Sequence, residues 1–349
     1  MTDSQWRDLK YLAEGRSIGY QPSGFIIDSP WIPGWYGISV VDYYASDELW
    51  LKANLAAVSR FPDIWFLPGF WSEYGMCTEP SAFGSRMIFN EKSLPHAMKI
   101  IDDVAQAASL PQPHVRTDGL LPFMISRLKY NNAKIRENGH EIRFAVSRGP
   151  LNIASFLMGT TEFMLALATD PDASHKLLRK ITDFVCDWLL WQKECFPTIE
   201  GTLILDDLIG FVGEPEFDEF VTPYLKRIFT CLGSEIRFLH NDAEGLITAG
   251  KLNELNVNMF NFSFNHSIND IRKLAGKDVV LVGNIPPRDV LADGSEADVE
   301  NAVKKSCREL SDHSAVIWSA GGGMPPGVKD KNIIAFKAAV EKYGDNIKL

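Results

Sequence analysis

The sequence has no apolar run of the roughly 20 residues that a membrane-spanning helix needs. Residues 1–10 also lack the apolar core of a signal peptide. The five cysteines are scattered, odd in number and never spaced as Cys-x-x-Cys. This usage is typical of a reduced protein rather than a disulfide-stabilised one. These absences predict a cytoplasmic protein with no membrane segment.

Clustered positive charge is absent as well. The formal net charge is -10, and no stretch concentrates Lys and Arg. A nucleic-acid-binding surface needs such a cluster, so we expect no nucleic-acid partner. The chain does have 349 residues, of which 46% are hydrophobic. That is enough for one large α/β barrel or two smaller domains.

Apolar runs and helical patterns alternate regularly from residue 200 onward. The runs are short and β-prone, and each ends at a polar or glycine signal; they cover residues 202–205, 236–239, 257–262, 279–282 and 315–318. Upstream, helical patterns cover residues 46–60, 94–108 and 120–137. Buried strands that alternate with helices indicate parallel β/α units.

We therefore predict an α/β fold, a single (β/α)8 TIM barrel over residues 1–349. Residues 1–60 would form an aromatic-rich N-terminal extension and capping loops. The carboxyl ends of the strands in such a barrel share one face, and that face holds the active site.

The run at 236–239 is followed by His240, Asp242 and Glu244. In extended backbone, positions two apart point the same way, so His240 and Asp242 can converge on one ligand. Imidazole and carboxylate groups form a sensible zinc pair. The alternative is a loop histidine that hydrogen-bonds within its own turn.

Asp206 and Asp207 follow the preceding run. The barrel would place them beside His240, and this convergence favours a catalytic or metal role for all three. We predict that an aspartate here acts as a metal ligand or a proton donor. The alternative is a cap of the following turn, a role to which Asp207 is the better suited of the two.

Two later strand ends also carry candidate binding residues. Asn284 follows the fourth run and is a candidate for substrate binding, and the fifth run leads to Gly321, Gly322 and Gly323. The glycines permit close approach of another backbone or a cofactor. Their alternatives are a tight turn or a phosphate-binding loop.

Aromatic residues are concentrated near the N-terminus, where six of the nine tryptophans lie before residue 75. Trp31, Trp35 and Tyr36 fall in a Pro- and Gly-containing loop, and Trp71 and Tyr74 fall in a second loop. Exposed tryptophans reduce solubility unless they pack or bind something. We consider these residues as substrate-binding candidates, with packing over the barrel bottom or a homodimer contact as alternatives.

Two charged residues join the substrate-binding candidates. Arg148 ends a predicted strand and could hold an anionic group, although a salt bridge is an equal alternative. Glu79 lies among apolar neighbours, where a carboxylate is either paired or functional.

Several segments, in the same order along the chain, resemble the uroporphyrinogen decarboxylase superfamily. They are Gly149-Pro150-Leu151, Asp206-Asp207-Leu208, residues 220–228, His240-Asn241-Asp242 and the glycine-rich turn before Asn332-Ile333. The resemblance covers most of the chain and implies a (β/α)8 barrel. This superfamily contains porphyrinogen decarboxylases and cobamide-dependent methyltransferases, many of which bind zinc through a His-x-Cys pair and a later Cys.

One departure from the superfamily concerns the substrate. The decarboxylases carry an arginine-rich N-terminal segment that faces the substrate carboxylates, whereas the matching region here holds Trp31, Trp35 and Tyr36. Binding an eight-carboxylate tetrapyrrole without those arginines would be electrostatically unfavourable on an acidic protein.

A second departure concerns zinc. Asp242 replaces the first cysteine of the zinc pattern, and glycines 321–323 replace the later one. Zinc would then bind through His240 with Asp242, Glu244 or another carboxylate. Such an oxygen-rich site suits an oxygen ligand better than a thiolate.

The aromatic loops resemble those of methyltransferases that demethylate methoxylated aromatics in anaerobes. The resemblance implies an O-demethylase component that transfers a methyl group from a phenyl methyl ether to the Co(I) corrinoid of a separate corrinoid protein. Zinc or an acid group would activate the ether oxygen. The alternatives are a decarboxylating lyase with a smaller carboxylated substrate, and a non-catalytic tetrapyrrole- or corrinoid-binding protein.

Overall fold

The computed structural model describes residues 1–27 and 30–344, apart from the side chain of Ala108. Its strands are β1 (Ser23–Ile26), β2 (Ile64–Leu67), β3 (Met87–Ile88), β4 (His96–Ala97), β5 (Phe144–Arg148), β6 (Gly201–Leu205), β7 (Ile236–Asn241), β8 (Met259–Phe262), β9 (Val280–Ile285) and β10 (Val316–Ala320). β3 and β4 form a small antiparallel hairpin. The other eight run parallel in one curled sheet, in the order β2-β1-β10-β9-β8-β7-β6-β5. The predicted α/β barrel architecture is confirmed, and the five predicted C-terminal runs correspond to β6 to β10.

Most of the helices lie between strands and cover the outside of the sheet, whereas α1 precedes β1 and α15 follows β10. They are α1 (Asp3–Ala13), α2 (Ile32–Tyr36), α3 (Val40–Ala45), α4 (Asp47–Arg60), α5 (Thr78–Ala82), α6 (Leu121–Glu137), α7 (Pro150–Met158), α8 (Thr160–Thr169), α9 (Pro171–Cys195), α10 (Glu214–Phe220), α11 (Thr222–Cys231), α12 (Leu246–Lys251), α13 (Ile268–Ala275), α14 (Glu296–Glu309) and α15 (Asp330–Tyr343). Short 3-10 turns occupy Val104–Ala108 and Leu208–Phe211, and a π-helical turn occupies Pro287–Ala292.

Side chains alternate between the two faces of each strand, and this alternation creates two hydrophobic cores. The inner core fills the barrel and includes Phe144, Phe238 and Ile317. α1 closes the amino end of the barrel, where Trp6 packs edge-on against Phe144 with ring centroids 5.3 Å apart. The outer core lies between the sheet and the helices. A residue's position along its strand therefore decides whether it faces the barrel or the helix layer.

The predictions for the N-terminal half are only partly confirmed. The helices expected over 46–60 and 120–137 are present as α4 and α6. The helix expected over 94–108 is wrong, because this segment contains β4 and its Ile100 and Ile101 N–H groups donate to Leu157 O. Residues 1–60 are also more than an extension, since they supply β1 of the barrel.

The barrel has a seam between β2 and β5, which no strand pairing joins within residues 1–27 and 30–344. The free edge of β5 is satisfied by side chains. Gln192 of α9 accepts from Val146 N and donates to Val146 O, both at 3.0 Å. Glu79 Oε1 accepts from Arg148 N at 2.9 Å. Side chains thus replace the missing neighbour strand, because a buried edge with unpaired N–H and C=O groups would be costly.

In the described part of the chain, no single helix is long and apolar enough to cross a membrane, although the bent pair α7 and α8 passes that test together on length and composition.

We predict that Gln192→Leu lowers the free energy of unfolding by about 2–4 kcal/mol, because it leaves the buried N–H and C=O of Val146 without partners. Urea denaturation followed by circular dichroism measures this change. Gln112→Leu is the matched control, because Gln112 is exposed and bonds only one carbonyl, that of Lys180. Equal stability of the two variants would contradict the proposed role of Gln192 at the seam.

Candidate metal centre and cavity

A cavity of about 250 Å³ lies at the carboxyl ends of the barrel strands. The strands β1, β5, β6 and β7, the helix α7 and the loops after β2 and β10 all contribute to its wall. The wall is largely apolar. Its polar side chains are Arg148, Asn152, Asp207, His240 and Asp242.

The strand register places part of this wall in one row. Arg148 pairs with Leu205, Leu205 with His240, and His240 with Asn261. Because neighbouring strands are spaced by about 4.8 Å, Arg148 and His240 lie about 10 Å apart at their Cα atoms. A guanidinium and an imidazole therefore stand at the same level of the barrel, on opposite sides of Leu205.

Three side chains converge on one point of the cavity. His240 Nε2 lies 3.5 Å from Asp207 Oδ1 and 3.9 Å from Asp242 Oδ2. One donor atom from each residue lies within 4.8 Å of the other two. The His240 side chain is 7% exposed, whereas those of Asp207 and Asp242 are 37% and 45% exposed. One imidazole and two carboxylates suit zinc and harder divalent cations, so this donor set fits a metal ion.

The two carboxylates are held close together by hydrogen bonds. Asp207 Oδ1 accepts from Asp242 N at 3.1 Å, and Asp207 Oδ2 accepts from Asn152 Nδ2 at 3.4 Å. Burial raises the pKa of Asp242, and the Asp207 carboxylate raises it further, whereas His240 opposes the shift. Like charges at this separation favour the uptake of a proton or a cation.

Asp206 faces the helix layer and is fully buried. Its two carboxylate oxygens accept from Leu151 N and Asn152 N, each at 3.0 Å, in the first turn of α7. Burial raises the pKa of Asp206 well above its ordinary value, although these two N–H donors oppose the shift. A Cβ on Gly149 would lie 2.2 Å from Asp206 Oδ2, so this close contact requires glycine. The structure reverses our assignment of the two aspartates: Asp206 caps the helix, and Asp207 faces the cavity.

Glu244 was predicted as a metal ligand, and the geometry contradicts this. Its Oε2 atom lies 3.3 Å from Nε2 of His266, which follows β8, and Glu244 is not among the three residues that converge on one point. Asp207 takes the third place in the cluster instead. Asn284 is also outside the cavity lining, because its side chain donates to His266 O at 2.6 Å and accepts from Ser306 Oγ at 3.4 Å.

The glycine loop after β10 passes directly over the cluster. Gly322 has a φ of 138°, and a Cβ there would lie 3.0 Å from Asp242 Oδ2. A Cβ on Gly321 would lie 2.5 Å from Phe264 N. Gly323 lines the cavity itself. Glycine is therefore needed for close packing against two other loops, and a cofactor contact at these positions stays a prediction.

Comparison with known proteins identifies the family. The uroporphyrinogen decarboxylase (URO-D) family matches residues 35–343. The chain belongs to the uroporphyrinogen decarboxylase family. A uroporphyrinogen decarboxylase from Dichelobacter nodosus is 22% identical over 339 residues, covering 95% of this chain and 90% of the relative. One from Schizosaccharomyces pombe is 22% identical over 281 residues, covering 76% of each chain.

Solved structures show the same fold at low identity. A methyltransferase from Methanosarcina mazei has a TM-score of 0.80 at 16% identity and covers 96% of this chain and 98% of its own. A B12-independent methionine synthase from a Shewanella species has a TM-score of 0.56 at 10% identity, covering 93% and 98%. These likenesses concern the fold alone.

The first aromatic segment was predicted to be a loop, but residues 32–36 form the short helix α2, which packs into the protein rather than into the cavity. Trp31 is fully buried and donates from Nε1 to Val328 O at 3.1 Å. Trp35 stacks on Trp31 with ring centroids 5.1 Å apart and donates to Asp330 Oδ1 at 2.7 Å. Tyr36 is partly exposed and lies outside the cavity lining. The geometry therefore contradicts the substrate-binding prediction for these three residues.

The second aromatic loop also has a packing role. Trp71 belongs to the inner core. Tyr74 stacks on Tyr44 with centroids 5.3 Å apart, and its hydroxyl accepts from Arg127 at 2.9 Å. Neither Trp71 nor Tyr74 lines the cavity; among its described lining residues, the aromatic one is Phe156.

Arg148 does line the cavity, as predicted, and it is also paired. One of its guanidinium nitrogens lies 3.2 Å from Glu73 Oε2. Glu79 lies behind Arg148 and accepts from the Arg148 N–H and from Ser147 Oγ. Burial raises the pKa of Glu79, and the charge of Arg148 opposes the shift. Both alternatives for Arg148, a salt bridge and a cavity residue, are therefore present together.

Sequence reasoning missed several residues of the site. Asn152 and Phe156 lie on α7, and Met76 and Met324 lie on loops, where no local pattern distinguishes a lining residue. Asn261 left a signal that was available: it is one of two polar residues, with Asn258, inside the predicted strand at 257–262.

We predict that substitutions of the two aspartates affect different properties of the protein. Asp206→Ala should lower the free energy of unfolding by about 2–4 kcal/mol, because two buried N–H groups of α7 lose their acceptor. Asp207→Ala should change stability by less than about 1 kcal/mol, since its side chain is partly exposed, and should weaken divalent metal binding. Chemical denaturation of the metal-free proteins and a zinc titration measure the two effects. Equal destabilisation by both substitutions would contradict the assignment of Asp206 as a helix cap and Asp207 as a cavity residue.

Proposed function

We propose that this family member is the methyltransferase component of a corrinoid-dependent O-demethylase. It would take a methyl group from a methoxylated aromatic compound and transfer it to the Co(I) corrinoid of a separate protein. The observation that carries the proposal is the Asp207–His240–Asp242 cluster at one point of a small, largely apolar cavity.

The cavity suits a single-ring substrate. Its volume of about 250 Å³ is below the range of about 300–1,000 Å³ that drug-sized ligands occupy. Ile26, Leu205 and Phe156 supply apolar wall for a ring, and Arg148 lines the same cavity at the level of His240, on the other side of Leu205. An aromatic ether would place its ring on the apolar wall and its oxygen toward the cluster.

Zinc would be held by Asp207, His240 and Asp242, and when bound it would act as a Lewis acid on the ether oxygen. The protein residues orient the substrate and exclude water from it. The C–O bond to the methyl carbon would break, the electron pair of Co(I) would form the new Co–CH3 bond and leave the cobalt as Co(III), and the oxygen would keep the pair of the broken bond as a phenolate. Phenolate is a poor leaving group, so stabilising the negative charge that develops on its oxygen lowers the barrier to its departure.

The charge of the cavity disfavours the alternative activity, which is the decarboxylation of uroporphyrinogen after which the similar proteins are named. Asp207 and Asp242 would repel substrate carboxylates, and Arg148 is already paired with Glu73. A polycarboxylate needs several guanidinium or ammonium groups that are free to bind it. The shared fold with the Methanosarcina mazei methyltransferase adds support for methyl transfer.

Free thiols support a reducing, cytoplasmic location, since all five cysteines are unpaired.

The first test combines metal analysis with a demethylation assay. The purified protein should hold about one zinc per chain, and the His240→Ala, Asp242→Ala double variant should lose it. With a methoxylated aromatic acid or phenol and free cob(I)alamin, the wild type should form methylcobalamin and the demethylated phenol, detected by absorbance and chromatography. Release of CO2 from a carboxylated substrate without methyl transfer would favour the lyase, and no turnover with either would favour a binding protein.

The rim of the cavity offers a surface on which a protein partner could dock. Phe211, Leu246 and Phe264 follow β6, β7 and β8, and they are 65%, 44% and 41% exposed. Their loops touch one another: a Cβ on Gly210 would lie 2.7 Å from Glu244 N, and Gly245 N donates to His266 Nε2 at 2.9 Å. Exposed apolar side chains on adjoining loops are typical of an interaction surface, and we propose that the corrinoid protein binds here.

We predict that the Phe211→Ser, Phe264→Ser double variant raises KM for the corrinoid protein about 5- to 30-fold, equivalent to about 1–2 kcal/mol of lost apolar contact. The rate with free cob(I)alamin should not change, because neither side chain lines the cavity. Tyr130→Ser on α6 is the control, since Tyr130 is 69% exposed but remote from the rim. A loss of rate with free cob(I)alamin would contradict a docking role.

A further inference from the structure

We propose that Asn261 is a positioning residue that fixes the tautomer of His240, so that Nε2 presents its lone pair to the cavity. The inference rests on the metal site of the proposed function and deepens it. Nothing in the family resemblance assigns a role to this residue.

The orientation of the Asn261 amide is set by two backbone carbonyls. Its Nδ2 donates to Val282 O at 2.7 Å and to Ala320 O at 3.0 Å. Carbonyl oxygens only accept hydrogen bonds, so both amide hydrogens are used and the amide cannot be turned over. Oδ1 is then the atom that faces His240.

The tautomer follows from this orientation. Asn261 Oδ1 lies 2.7 Å from His240 Nδ1, and an amide oxygen can only accept. Nδ1 must therefore carry the hydrogen. In the neutral imidazole the lone pair is then on Nε2, the atom that faces Asp207 and Asp242. This is the nitrogen that a metal ion would need.

Burial makes the arrangement rigid. Asn261 is fully buried, and His240 is 5% exposed. Both are strand residues that pair directly in the β7–β8 register. A histidine ligand held through its other nitrogen is oriented before the metal arrives, and loss of such a partner typically costs about 10- to 100-fold in metal affinity.

The partner is also neutral, which matters for the charge of the site. A carboxylate in place of Asn261 would add a third negative charge beside Asp207 and Asp242. With an amide, a divalent cation and the two aspartates balance each other. The cation then keeps more of its Lewis acidity, since its histidine ligand is not made more basic by a neighbouring anion.

Asn332 supplies a matched control. It is fully buried and, like Asn261, donates from Nδ2 to two backbone carbonyls, those of Leu291 at 2.8 Å and Gly294 at 2.9 Å. Asn261→Ala and Asn332→Ala therefore remove the same kind of hydrogen bonds and should lower stability alike. Only Asn261 contacts the imidazole.

The experiment measures zinc affinity by competition with a chelator and the His240 tautomer by 15N NMR. We expect Asn261→Ala to weaken zinc binding about 10- to 100-fold, with the Asn332→Ala affinity unchanged within about twofold. In the metal-free wild type, the His240 signal should be that of the Nδ1–H tautomer; comparison with His240→Gln identifies it among the seven histidines.

An Nε2–H tautomer in the wild type would overturn the proposal, and this result does not depend on whether any variant folds. Unchanged zinc affinity in Asn261→Ala would overturn it as well. If the wild type shows the Nδ1–H tautomer but binds no zinc, the role of Asn261 stands and the metal site of the proposed function fails. The two failures are thus distinguishable.

Discussion

Alternation of side chains along the barrel strands is the constraint on which the site depends. Phe238 and His240 share the inner face of β7. Phe238 belongs to the inner core, and His240, two residues nearer the carboxyl end of the strand, lines the cavity. The same rule sends Asp207 inward and Asp206 outward at the end of β6. Two adjacent residues of one type thereby acquire separate functions. One completes the cluster that could hold a metal ion, and the other holds the first turn of α7 in place.

Charge decides what this site can bind. The cluster brings two carboxylates to one imidazole, and the pKa of Asp242 is raised by burial and by Asp207. Such a site binds a cation favourably and repels an anionic substrate group. The family's name refers to a polycarboxylate substrate, whereas the one arginine among the described cavity residues is paired with Glu73. Family membership and local chemistry therefore point to different substrates, and the local chemistry is the better guide to function.

Sequence patterns could predict the barrel and the level of the site, because strand ends in parallel β/α units converge by geometry. They could not predict which face Asp206 and Asp207 occupy, because the run at 202–205 is buried on both faces and does not show which face is the inner one. Glu244 lies two residues past Asp242, where the extended backbone has ended and the alternation no longer holds. Trp31 and Trp35 sit in a Pro- and Gly-containing segment, yet their rings are packed and their N–H groups are bonded to Val328 and Asp330. The prolines and glycines of this segment lie within or beside the short helix α2 instead of forming a loop, and they gave no information about burial.

The three metal donors differ in how firmly they are held, and this difference has a chemical consequence. His240 is fixed on a strand by Asn261, whereas Asp207 and Asp242 lie just beyond strand ends and are partly exposed. A metal ion would therefore meet one preoriented nitrogen and two partly exposed carboxylates. A Cβ on Gly322 would lie 3.0 Å from Asp242 Oδ2, so the glycine loop after β10 packs closely over that carboxylate. A side chain at position 322 would therefore crowd one of the candidate metal donors.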